Sequence, residues 1–318
     1  MPAETAPPRR GRGPLRRILL AVAQAVAGLV LLAVLFRTLG TDSARSAVGV
    51  LSPLTVVLAL LAGLVATAAQ AQRWRLVARS RGARFGFREA LGECWAAGLV
   101  NLLLPGGVTG DAVRVLRRRR RGDTWPGAGG SVVGERLAGT SVLLAAGVVP
   151  ALAVGPWVAA AFGAGALAVG AVAWRATSGS PARDRAAVWS LSVLAWACYQ
   201  GLFLLAALRT APQAPLPDLW GTTVLGLAGM SVPVGVGGWG PREGITTLAA
   251  MAHGLPAGTG FAISLGYGLL ALISALPGAV VLTRWLLPRR AAAGTARPPR
   301  GSAGRSGPGP RRQFRRPR

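Results

Sequence analysis

The strongest constraint on this chain is a series of apolar runs, each long enough to cross a bilayer. They are Ile18–Phe36, Leu54–Gln72, Ser131–Pro150, Trp157–Trp174, Val188–Leu208 and Gly260–Leu287. At ~1.5 Å per residue, about 20 helical residues cover the hydrocarbon core of roughly 30 Å. Backbone groups in hydrocarbon must pair within the protein, and continuous apolar runs do so as helices. Composition agrees: of 318 residues, 52% are hydrophobic and 14% charged, where a soluble domain carries about 25% charged residues. The expected class is an all-α, polytopic membrane protein with no room for a large soluble domain beside its spans.

The formal net charge is +26, which in a soluble chain would suggest nucleic acid. Here the arginines gather at the two ends and in alternate loops, as the positive-inside rule requires, so no nucleic-acid partner is expected. Arg9, Arg10, Arg12, Arg16 and Arg17 precede the first run. They place residues 1–17 in the cytoplasm as a disordered basic tail, with the first run a retained signal anchor. The weakly charged segments 37–53 and 209–218 are read as external. Arg73, Arg75, Arg79, Arg81, Arg84 and Arg88 are read as internal. The Arg/Pro/Gly-rich tail, residues 288–318, is cytoplasmic and disordered by composition. The transmembrane unit is then 18–287, in the cell membrane, with both termini inside.

Two further stretches do not read as plain spans. Asn101 to Arg114 carries Pro105-Gly106-Gly107, then Asp111 and Arg114. Met230 to Gly244 carries Pro233, several glycines, Pro241 and the adjacent Arg242–Glu243 pair. Proline and clustered glycine break helices, and broken backbone at membrane depth is tolerated where protein buries it or a cavity wets it. The first stretch ends the run Ala90–Leu104, which has basic flanks on both sides. The second lies in Leu219–Met251, between two external ends. Each is therefore read as a re-entrant hairpin, one from each face. The order span, span, hairpin, span then occurs twice with opposite orientation, over about 18–154 and 157–287. That is an inverted repeat, in which broken elements form the binding site near the midplane.

Ionisable residues at such depth are functional candidates. Asp111 fits a helix N-cap facing a cavity, although Arg114 also fits a plain positive-inside arginine. Glu135–Arg136 reads as buried counter-ions or as a snorkelling pair at the interface. Arg242, at a helix start, suits bidentate contact with a phosphate. The substrate-binding set is Asn101, Pro105, Asp111, Arg114, Glu135, Arg136, Arg242 and Glu243. Of these, Asp111, Glu243, Arg114, Arg136 and Arg242 are expected to form one mutually neutralising cluster, with Arg242 meeting the ligand. Glu89 and Glu93 lie one turn apart on the first hairpin, Glu93 the deeper. The run Arg117–Arg121 reads as an anchor to anionic lipid.

One histidine, His253, and two distant cysteines, Cys94 and Cys198, argue against a metal site or a disulfide, and no cofactor or catalytic residue is expected. Gly235 to Gly240 formally fits G-x-G-x-x-G, but lacks the βαβ context that motif needs. The expected partners are membrane lipids with anionic head groups; a homo-oligomer is compatible with the sequence.

With these motifs assembled, the chain resembles the transmembrane flippase region of lysylphosphatidylglycerol synthase/flippase proteins, over roughly residues 15–290. The likeness rests on Asn101-Leu-Leu-Leu-Pro-Gly-Gly with Gly110-Asp111-Ala-Val-Arg114, on Gly134-Glu135-Arg136-Leu137, and on Gly237-Gly238-Trp-Gly240-Pro241-Arg242-Glu243-Gly244. It implies a protein that moves phospholipids, aminoacylated or otherwise, between leaflets. No acyltransferase-like domain follows, so synthesis of lysylphosphatidylglycerol itself is not expected. The alternatives are an intramembrane transferase acting on a lipid substrate and a non-transporting membrane scaffold.

The topology makes a direct prediction. Cysteines introduced near Ser43 and Gln213 should react with an impermeant thiol reagent from outside, and those near Ser80 and Asp123 from inside. External reaction near Asp123 would rule out a hairpin at Ala90–Leu104.

Overall fold

The computed structural model describes residues 26, 30, 33–38, 41–104, 107–231 and 237–287. The crossing expected at Ile18–Phe36 lies largely outside these residues; both tails, Pro105 and Pro233 lie wholly outside them. Every helix or strand element among the described residues is a helix. Five are long and apolar enough to cross a membrane: α1 (Pro53–Arg79), α4 (Trp125–Ala151), α5 (Pro156–Ala176), α6 (Ala182–Thr210) and α9 (Ala257–Ala275). Between them lie two pairs of shorter helices, α2 (Phe87–Leu103) with α3 (Thr109–Arg120), and α7 (Leu216–Gly229) with α8 (Pro241–Ala252). A last helix, α10 (Pro277–Leu286), follows α9. The protein is thus a polytopic helical membrane protein.

Local chemistry explains the helix starts. Pro53, Pro156, Pro241 and Pro277 each occupy the first helical position, where a missing N–H breaks no bond and φ is already helical. Ser52 caps α1 by accepting from the Thr55 amide at 3.3 Å, while Thr55 Oγ1 accepts from the Ser52 amide at 2.8 Å. Thr124 caps α4, accepting from the Gly127 amide at 3.1 Å.

Two expectations need correction. The run Gly260–Leu287 is not one helix: α9 ends at Ala275, and Pro277, which cannot donate to the preceding turn and clashes with it, opens α10. Freed from α9, α10 lies against α2. Segment 37–53 is not a plain loop, because residues 41–48 are helical. It packs inward: Ser43 Oγ donates to the Gly258 carbonyl at 3.2 Å, and Val50 is fully buried against Gly266.

The helices fall into two groups of like order. Helices α1 and α6 pack on each other at the centre. Helix α2 packs on α1 and α7 on α6; α3 packs on α2 and α4, and α8 on α7 and α9. Helix α4 touches both α1 and α6, and so does α9. Exchanging α1–α4 with α6–α9 preserves these pairings. Outward faces remain apolar, as at Leu54, Leu61 and Leu64 on α1 and Leu167 on α5, which suits contact with acyl chains. Small residues let the helices approach closely, as in other membrane bundles. The largest internal cluster includes Leu202, Leu219, Ile263 and Leu270, with Phe203 stacked on Tyr267 at 4.1 Å between ring centres.

A tight approach within the first pair of short helices is at Gly110. A Cβ there would lie 2.2 Å from the Ala97 carbonyl oxygen of α2. Gly110→Ala should therefore destabilise the protein by about 1–3 kcal/mol through overpacking, read as a lower thermal midpoint in detergent. Gly201→Ala, where nothing lies within 4 Å of the new Cβ, should leave the midpoint unchanged or raise it. Equal behaviour of the two variants would contradict the packing of α3 on α2.

Candidate functional site

Helix α3 begins without a side-chain cap of its own. Asn101, near the end of α2, supplies the missing partner: its Oδ1 accepts from the Gly110 amide at 2.7 Å. Asn101 Nδ2 donates to Asp111 Oδ2 at 3.3 Å. Asp111 sits in the first turn of α3, where the helix dipole favours negative charge.

Around Asp111 a charged cluster closes. Arg114 Nη1 donates to Asp111 Oδ1 at 3.0 Å and lies 3.6 Å from Glu135 Oε2. Arg136 pairs with Asp111 Oδ2. Arg73 of α1 donates through Nε to Glu135 Oε1 at 3.1 Å and pairs with the same oxygen through Nη2. Its Nη1 donates to Ser192 Oγ of α6 at 2.9 Å. The Arg114 guanidinium also lies 4.1 Å over the Trp74 ring. The five charged residues are three arginines and two acids, leaving one positive charge in excess. The exposures divide them: the side chains of Arg73 and Arg114 are 6% and 4% exposed, that of Arg136 47%.

This cluster forms part of the wall of a cavity of about 480 Å³. Arg73, Asn101, Glu135 and Arg136 line it from the first group of helices. Leu227, Met230, Tyr267 and Ala271 give it a mainly apolar wall from the second. Gly107 and Gly237 line it too, one beside each break. The two breaks meet: a Cβ on Gly237, whose φ is +58°, would lie 1.9 Å from the Leu102 carbonyl oxygen. Glycine is required there both by the backbone angle and by the approach.

Arg242 and Glu243 form a second cluster. Both are fully buried. Arg242 Nε donates to Glu243 Oε1 and to Ser264 Oγ of α9, each at 3.0 Å. Glu243 Oε2 accepts from the Gly240 amide at 2.7 Å. The guanidinium lies 4.5 Å from the centre of the Trp239 ring and 5.4 Å from that of Tyr267.

The expected single charge cluster is therefore two. Asp111, Arg114 and Arg136 come together as expected, and Asn101 and Glu135 join them. Arg242 and Glu243 do not join them, because adjacent residues in the first turn of α8 neutralise each other locally. Arg242 is absent from the cavity wall, so it cannot be the ligand's first contact in this conformation. Pro105 lies outside the described residues. The run Arg117–Arg121 also differs from a free anchor. Helix α3 folds back along α2, bringing its last turn beside Glu89 and Glu93. Arg117 Nε donates to Glu93 Oε1 at 3.2 Å and lies over Trp285. Arg118, 4% exposed, donates to Glu89 Oε1 at 3.0 Å and Asp123 Oδ2 at 2.6 Å.

Sequence reasoning missed Arg73, which read as one of several interfacial arginines, and Ser192, Ser264 and Tyr267, which carry no motif. An unpaired Glu135 in an apolar run was a signal that some distant cation must reach it, but not which one. Both cysteines are free, and His253 Nδ1 lies 2.8 Å from the Ala249 carbonyl within its own turn.

Glu135 is the shared counter-ion of two buried guanidinia, accepting hydrogen bonds from Arg73 and forming an ion pair with Arg114. Glu135→Ala should destabilise the protein by about 3–5 kcal/mol, because it strands buried positive charge. Arg73→Met combined with Glu135→Leu should recover much of that loss. Thermal unfolding in detergent checks both; a Glu135→Ala protein as stable as wild type would show that the network contributes nothing.

No curated protein matches the chain. The family described as lysylphosphatidylglycerol synthase TM region matches residues 18–187, a range that contains α1 to α5 and the charged cluster apart from Ser192. The chain belongs to the lysylphosphatidylglycerol synthase TM region family.

Proposed function

We propose that this protein moves a phospholipid, or another lipid bearing an anionic head group, between the two leaflets of the cell membrane. The observation that carries the reading is the lining of the cavity. A patch with one excess positive charge faces a mainly apolar wall, inside a membrane protein. A phosphodiester docks on Arg136, the exposed cation of the patch, by charge-assisted hydrogen bonds. Its glycerol and acyl portion lies against Leu227, Met230 and Ala271. Arg73 and Arg114, held by Glu135 and Asp111, keep the local field positive without offering their own charges. The residues have binding roles in this scheme, and none is assigned a catalytic one.

The repeated order of helices and the arginine pattern support an inverted arrangement of the two groups, with both termini cytoplasmic. On that reading α2–α3 and α7–α8 are re-entrant hairpins from opposite faces. The close approach of Gly237 to Leu102 supports the picture, since it joins the two breaks beside the cavity.

The test is leaflet translocation of fluorescent phosphatidylglycerol in proteoliposomes. Wild-type protein should accelerate it over empty vesicles. Arg136→Ala should slow it about tenfold, the effect of losing one charge-assisted contact. Arg136→Lys should rescue in part, since it keeps the charge and loses the planar fork. If wild type moves no lipid of any head group, or Arg136→Ala equals wild type, the reading fails. Recovery of a covalently altered lipid would favour a transferase instead.

A further inference from the structure

The second cluster contains a group that the scheme above leaves unused. Arg242 is fully buried, yet its Nη1 has no hydrogen-bond partner. An arginine serving Glu243 alone is satisfied through Nε and Nη2, which both address Glu243 Oε1. Leaving a buried donor empty is costly, and a buried orphan in a native protein calls for an explanation.

Its surroundings supply one. Tyr267 lines the cavity and stands beside the guanidinium. Gly237 and Gly238 line the cavity immediately before Trp239, whose ring covers the guanidinium. Tyr267 thus touches both the cavity and the guanidinium, and the Trp239 ring lies against the same guanidinium. Behind it, α9 is cut back to Gly268: a Cβ there would lie 2.5 Å from Arg242 Nη2 and 2.6 Å from Trp239 Cη2. The recess is therefore filled by the guanidinium and the indole together.

The geometry points to Arg242 as a second anion contact, closed in this conformation, which takes the phosphodiester of the transported lipid from Arg136 when Tyr267 and Trp239 turn aside. The inference rests on the translocation reading. Glu243 stays partnered during the exchange, because the Gly240 amide and Ser264 Oγ still donate to it. The two contacts differ in strength. The first cluster has one excess positive charge, whereas Arg242 and Glu243 cancel, so the second holds an anion more weakly and favours its release.

Two measurements on the full chain test this. The first compares fluorescent phosphatidylglycerol binding in detergent with its translocation in proteoliposomes. The double variant Arg242→Gln with Glu243→Gln removes both charges and strands neither. Binding should match wild type, because the first contact is Arg136, while translocation should fall about tenfold. The second uses Ser264→Cys after Cys94 and Cys198 are replaced by alanine. Ser264 is fully buried, so a water-soluble maleimide should react slowly at rest. It should react faster in phosphatidylglycerol vesicles than in phosphatidylcholine vesicles, and inorganic phosphate alone should have no effect. Wild-type translocation by the double variant, labelling indifferent to lipid charge, or acceleration by inorganic phosphate as strong as by lipid would each overturn the assignment. If wild-type protein moves no lipid, the translocation reading fails instead. The labelling then still reports whether anionic lipid opens the recess at Arg242.

Discussion

Charge away from water is the constraint on which the rest of this structure depends. An ionised side chain in the membrane interior is unfavourable by several kcal/mol unless something answers it. Glu135 answers two guanidinia at once, one from α1 and one from α3, while Arg73 extends the link to Ser192 on α6. Four helices are thereby held in one register. Apolar packing alone is permissive in such a bundle, because acyl chains compete with side chains for the same surface. A shared carboxylate is far less permissive: sliding any of the four helices by one turn would part a pair.

The breaks in the helices serve the same end. Ending α2 at Leu103 and α7 at Gly229 puts short-helix N-termini inside the fold, and an acid occupies the first turn of each, Asp111 and Glu243. The two acids are then treated differently. Asp111 is shared with Arg114 and Arg136 and lies beside cavity-lining Asn101 and Arg136, while Glu243 is closed on its neighbour and hydrogen-bonded to Ser264 of α9. One architecture thus yields an open, positively biased site and a shut, neutral one.

The division between what could and could not be read from the sequence follows from range. Long apolar runs announced α1, α4, α5, α6 and α9, because hydropathy is summed locally. Proline and glycine announced both interruptions, and the acid–arginine motifs marked Asp111, Glu135 and Glu243. Pairing across helices was not legible. Arg73 looks like its neighbours Arg75 and Arg79 until α1 is laid against α4, and its depth against Glu135 is a tertiary quantity. The separation of Arg242 from the first cluster was not legible for the converse reason. Its motif was conspicuous, but burial beside Tyr267 is decided by a residue on another helix. The run Arg117–Arg121 likewise looks solvated until α3 turns back on α2, where Glu89 and Glu93 wait.

The touch between Gly237 and Leu102 is made by main chain on the Leu102 side, and by the lack of a side chain on the other. Its tolerance of sequence drift is accordingly lopsided. This contact places no demand on the side chain at position 102, since every amino acid carries the same carbonyl. Position 237 is confined to glycine. The seam between the two halves is thus guarded by one residue rather than by a matched pair, and related chains could diverge on the first side without compensating change on the second.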